Sequence, residues 1–132
     1  MRPKLLICDD DDLIRALVRA SFARRDYDVV EARDGNEAVE IALAERPHLV
    51  LLDMMMPGRT GVEVLARLRA EPALSVTPVI VLSARTQESD RAAAADAGAT
   101  VFLAKPFSPS ELLTLVDETL GNANAARAQS TS

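Results

Sequence analysis

Five short apolar runs, at residues 5–8, 29–30, 49–52, 79–82 and 101–103, recur along the chain, and each is followed by a stretch with helical periodicity. This alternation restricts the fold more than any other feature. Strands that are apolar at nearly every position must be covered on both faces, which requires a parallel sheet with helices on either side. The expectation is one α/β domain, a doubly wound (βα)5 unit. In such sheets ligands collect outside the carboxyl ends of the strands, so those ends are where chemistry belongs.

The helices carry local start signals. Leu13, Ile14, Leu17, Val18 and Phe22 form one apolar stripe, and Leu112, Leu115, Val116 and Leu120 form another. Asp34 with Glu37, Thr60 with Glu63 and Ser108 with Glu111 have capping-box spacing, the first more loosely because the motif prefers Ser or Thr. Pro109 falls at a first helical position, where its missing N–H costs nothing. Gly98 and Gly121 follow helical stretches where a left-handed C-terminal residue is wanted. The segment 87–97 is alanine-rich and reads as helix on propensity. Residues 1–121 are therefore expected to be the folded domain, and 122–132, without an apolar face, a disordered tail or linker stub.

Charge and composition exclude several classes. A formal net charge of −5 argues against direct nucleic-acid binding by this segment, because phosphate backbones need clustered Lys and Arg. No apolar run approaches the ~20 residues that span a bilayer, and no signal-peptide core follows Met1, so the expected location is cytoplasmic. A single Cys8 and a single His48 leave no disulfide within the chain and no Cys/His zinc site. Cys8 reads as a small buried hydrophobe and His48 as a strand-entrance residue.

The strand ends hold polar residues of one chemical kind. The first strand runs into Asp9-Asp10-Asp11-Asp12, the third into Asp53, the fourth into Ser83 and the fifth into Lys105. Four consecutive aspartates repel one another unless some start a helix and others meet a cation. Asp11 and Asp12 suit the N-terminal end of the first helix, which leaves Asp9 and Asp10 for chemistry. Carboxylates with a backbone carbonyl and water are ligands for Mg²⁺. Each feature alone has an ordinary structural explanation, and only their placement on one edge of the sheet argues for a site.

The segments LLICDDDDLIR (5–15), LVLLDMMMPGRTG (49–61), VIVLSA (79–84) and VFLAKPF (101–107) together resemble the response-regulator receiver domain of two-component signalling. The resemblance covers about residues 3–120. It implies a flavodoxin-like fold with strand order 2-1-3-4-5, acting as a phosphorylation-operated switch and not as a turnover enzyme. Asp53 would accept a phosphoryl group from a phosphohistidine on a histidine kinase or phosphotransfer protein. Mg²⁺ (or Mn²⁺) would be held by Asp10, Asp53 and the backbone carbonyl of Met55, with Asp9 acting through water. Lys105 and the Ser83 hydroxyl would contact phosphoryl oxygens, and the Lys105–Pro106 peptide would be cis.

Ser83 and Phe102 match the family's switch positions, which would reshape the surface of the fourth helix, fifth strand and fifth helix toward an output partner. Met55 and Arg85 match positions that tune the phosphate lifetime. Ser83 stands where Thr is commoner. The last helix has no basic residue between Glu111 and Leu120, which argues against the dimer used by winged-helix transcription factors of the family. Two rival readings are a haloacid-dehalogenase-type phosphohydrolase, suggested by Asp9-Asp10-Asp11, and a scaffold module that never gains phosphate. The first lacks a downstream acidic pair, and the second would be expected to lose Asp53, Lys105 or the acidic pair.

Overall fold

The computed structural model describes residues 2–84 and 88–130. The five strand–helix alternations are β1 (Lys4–Cys8), α1 (Asp12–Phe22), β2 (Asp28–Ala32), α2 (Gly35–Glu45), β3 (Leu49–Asp53), α3 (Gly61–Ala70), β4 (Val79–Ala84), α4 (Glu88–Ala97), β5 (Val101–Lys105) and α5 (Pro109–Ser130). The sheet order is β2-β1-β3-β4-β5 and all four pairings are parallel, as expected.

Alternation along the strands sorts the core into two layers. Leu6, Cys8, Val50, Leu52, Val79 and Val81 pack on the side of α2, α3 and α4. Leu5, Ile7, Leu49, Leu51, Ile80 and Leu82 pack on the other side with Val18 and Phe22 of α1 and Leu112 and Val116 of α5. The central strand β3 is buried at all five positions, which explains its unbroken apolar sequence up to Asp53. Each such Leu contributes about 1.5–3 kcal/mol through burial.

The caps follow the sequence. The Thr60 side chain accepts from the Glu63 N–H while the Glu63 carboxylate accepts from the Thr60 N–H, a complete capping box, and Ser108 and Glu111 repeat it. At α2 the Asp34 side chain accepts from the Glu37 N–H, but the Glu37 carboxylate reaches back to the Arg33 N–H instead. Gly98 adopts a φ of 109°, the left-handed region expected of it. His48 Nδ1 accepts the Lys4 N–H, a strand-entrance contact, and Cys8 is fully buried. Among the described residues no helix is long and apolar enough to cross a membrane.

Two local expectations fail. Gly121 does not end the last helix, for α5 runs from Pro109 to Ser130. Leu13, assigned to the apolar stripe of α1, is 79% exposed. Ile14, Leu17, Val18 and Phe22 keep the expected face, and Arg15 takes an inward position at its flank.

Candidate functional site

The aspartate run resolves into four different roles. Asp9 continues the β1–β2 ladder through its N–H, which donates to the Ala32 carbonyl at 3.1 Å, and this turns its side chain inward to full burial. Asp10 is exposed. Asp11 is the N-cap of α1, its side chain accepting from the Leu13 N–H at 2.9 Å. Asp12 lies in the first helical turn, where negative charge is favoured, and pairs with Arg15.

Asp9 is held from two sides. Its Oδ1 accepts the Asp11 N–H at 2.9 Å and its Oδ2 accepts the Lys105 ammonium at 2.9 Å. Lys105, at the end of β5, also approaches Asp53 Oδ1 at 3.3 Å. Asp53 ends β3, is 6% exposed, and accepts the Met55 N–H at 3.4 Å. One carboxylate oxygen from each of Asp9, Asp10 and Asp53 lies within 4.8 Å of the others. Three acids and one lysine thus meet where β1, β3 and β5 end, the edge that the sheet topology selects.

The electrostatics follow from this crowding. Burial, then the negative charge of Asp9, push the Asp53 carboxyl up to about 6, although Lys105 and the Met55 N–H pull it down. Burial works to lower the Lys105 pKa, but the hydrogen bond to Asp9 and the charges of Asp53 and Asp9 outweigh it and raise the value. The all-oxygen donor set, with acids short of positive charge, fits a hard divalent cation such as Mg²⁺.

The loop after β3 turns tightly beside Asp53. Gly61 begins α3, and a Cβ there would lie 2.8 Å from the Met54 Cα, so only glycine lets the helix start this close to the strand end. Met55 is 63% exposed at this rim. Ser83 is buried, and strand register pairs it with Ala104 and pairs Val81 with Phe102. Ser83 and Phe102 therefore project to the same face of the sheet. Phe102 is half-buried, with the Arg91 guanidinium of α4 5.0 Å from its ring centroid. The Lys105–Pro106 peptide is cis, as the resemblance implies. Arg85 lies outside the described residues.

Sequence reasoning missed Arg15. Its side chain is buried, and its Nη1 donates to the Asp9 carbonyl at 2.7 Å while its Nε donates to Glu31 of β2 at 3.1 Å. The available signal was its spacing, three residues before Val18 and seven before Phe22, which puts a charge on the inward face of α1.

Known proteins with this architecture share the same kind of chain. The response regulator receiver domain family model matches residues 5–117. The transcriptional regulatory protein ResD of Bacillus subtilis is 39% identical over 121 residues, covering 92% of this chain and 49% of that protein. The chain spans about half the length of the curated relatives it matches. The chemotaxis response regulator CheY4 of Vibrio cholerae superposes with a TM-score of 0.85 at 31% identity, over 90% of this chain and 99% of that one. The receiver domain of the sensor histidine kinase PA1611 of Pseudomonas aeruginosa, solved with magnesium coordinated in its active site cleft, gives a TM-score of 0.84 at 27% identity over 92% and 99% of the two chains. With the fold and the family model in agreement over residues 5–117, the chain belongs to the response regulator receiver domain family.

Proposed function

We propose that residues 1–121 act as a phosphorylation-operated switch in which Asp53 accepts a phosphoryl group from a histidine kinase or phosphotransfer protein. Family membership supports the general role, a regulatory phosphoacceptor in two-component signalling. The observation that carries the specific reading is Asp53 itself. It is a buried carboxylate at a strand end, 3.3 Å from a lysine and grouped with two further acids.

Asp10, Asp53 and the Met55 carbonyl would hold Mg²⁺ or Mn²⁺, with Asp9 acting through water; the magnesium in the PA1611 receiver domain supports this. When bound, such a cation supplies positive charge against the negative charge that builds up on the transferring group. Asp53 attacks phosphorus, the bond to the donor nitrogen breaks, and an acyl phosphate remains on Asp53. Lys105 neutralises a phosphoryl oxygen and keeps Asp53 ionised, and the Ser83 hydroxyl donates to another. Hydrolysis of the acyl phosphate by water resets the switch.

Ser83 and Phe102 share a sheet face, which supports their coupling. Movement of Ser83 toward the phosphoryl group frees space for Phe102 to turn inward and alters the surface of α4, β5 and α5. Met55, exposed at the rim, and Arg85 would tune the phosphate lifetime. The location is taken as cytoplasmic and the output as protein contact or a further domain, since a net charge of −5 does not suit direct nucleic-acid binding.

Intact mass after incubation with acetyl phosphate tests this. One added phosphoryl group is expected on the wild type with Mg²⁺, and none on Asp53→Ala or without the metal. No gain on the wild type would favour the scaffold reading. Gain on Asp53→Ala that disappears when Asp9 is removed would revive the phosphohydrolase reading.

A further inference from the structure

Arg15 of α1 reaches the backbone of the site. It is 7% exposed, and its guanidinium fork joins three elements. Nη1 donates to the Asp9 carbonyl at 2.7 Å, Nε to Glu31 of β2 at 3.1 Å, and Nη2 to Asp12 of its own helix. Glu31 is pinned in turn by Arg19. A planar fork with three acceptors at fixed positions has little freedom left, so its orientation is set by the fold.

The Asp9 carbonyl belongs to the peptide that joins Asp9 to Asp10. Holding that oxygen restrains the plane of the peptide, and with it the position from which Asp10 projects its carboxylate. Asp9 has its own restraints, from the Asp11 N–H and from Lys105. Asp10 is exposed, and among the described residues it takes part in no ion pair. Its restraints are therefore in the backbone: the peptide before it, held by Arg15, and the Asp11 N–H after it, bonded to Asp9 Oδ1.

We infer that Arg15 is a positioning residue for divalent-cation binding: by clamping the Asp9 carbonyl it aims the Asp10 carboxylate into the cluster with Asp9 and Asp53. The inference rests on the proposed metal role of that cluster. It has a consequence that charge alone does not share. A guanidinium near a cation site repels the cation, so a purely Coulombic role predicts tighter binding once Arg15 is neutralised. Positioning predicts the opposite sign.

Isothermal titration with Mg²⁺ alone separates these. The proteins are the wild type, Arg15→Met, Arg15→Lys, Glu31→Ala and, as a distant control, Arg25→Ala, which loses an ion pair with Asp117 on α5. Circular dichroism verifies that each is folded. Arg15→Met is expected to bind Mg²⁺ about tenfold more weakly or worse, in the range typical for loss of a group that orients a ligand. Arg15→Lys keeps the charge but not the fork and falls between, Glu31→Ala shifts in the same direction, and Arg25→Ala is unchanged.

Unaltered or tighter binding in folded Arg15→Met would overturn the role. Should that variant not fold, unaltered binding in both Arg15→Lys and Glu31→Ala would do the same. A wild type that binds no Mg²⁺ would instead overturn the metal reading beneath it, so the two failures are distinguishable.

Discussion

Replacing Asp53 by Asn should make the metal-free protein more stable, and the gain should grow with pH. Burial and the charge of Asp9 raise the folded-state pKa of Asp53 from an ordinary 3.8 to about 6. A carboxyl with a raised folded pKa is better tolerated neutral. Its contribution to stability is whole below the unfolded value and is lost as pH rises toward and through the folded one. The full shift corresponds to about 3 kcal/mol, and to about 2 once solvent screening at this strand-end edge is allowed for. Asn imitates the neutral form at every pH. Urea unfolding in a chelator should show Asp53→Asn more stable by about 2 kcal/mol near pH 7.5, by about half that near pH 5, and indistinguishable from wild type below about pH 4. Saturating Mg²⁺ should narrow the difference by stabilising the wild type preferentially. A variant less stable than wild type at neutral pH, or a gain independent of pH, would refute the argument that Asp53 is held ionised at the expense of stability.

Lys105→Met should lower both activity and stability, since it leaves Asp9 and Asp53 facing each other without their shared cation; phosphorylation by acetyl phosphate should become slower and its acid limb should move to higher pH. In the wild type with Mg²⁺, the fraction of Asp53 modified by acetyl phosphate should fall on acidification, with its acid limb at or below about pH 6 because a bound cation favours the ionised carboxylate. Thr60→Ala removes one half of the α3 capping box and should cost about 1 kcal/mol in urea unfolding without altering Mg²⁺ affinity. Gly35→Ala would place a Cβ 2.4 Å from the Arg59 carbonyl oxygen, so thermal unfolding should show a loss of about 1–3 kcal/mol as the turn before α3 is displaced.

The order of elements, the parallel sheet and the edge that bears the chemistry were legible in the sequence for local reasons. An apolar run of strand length followed by a capped amphipathic segment has few ways to bury itself, and capping boxes such as Thr60 with Glu63 form between neighbours in the chain. Because strand ends are fixed by those same runs, Asp9, Asp53 and Lys105 could be assigned to one edge before their distances were known. Local pattern already assigned Asp11 and Asp12 to the start of α1, and tertiary structure alone separated the other two, turning Asp9 inward and leaving Asp10 exposed. The apolar stripe of α1 was legible, but that Leu13 stays exposed and Arg15 is buried depends on partners from elsewhere in the fold, since Glu31 of β2 and the Asp9 carbonyl receive the guanidinium. The placement of Arg91 over Phe102 also joins residues from different elements, which no local signal encodes. The raised pKa of Asp53 has the same origin: it needs burial and a second acid brought across the sheet, and only the folded chain supplies both.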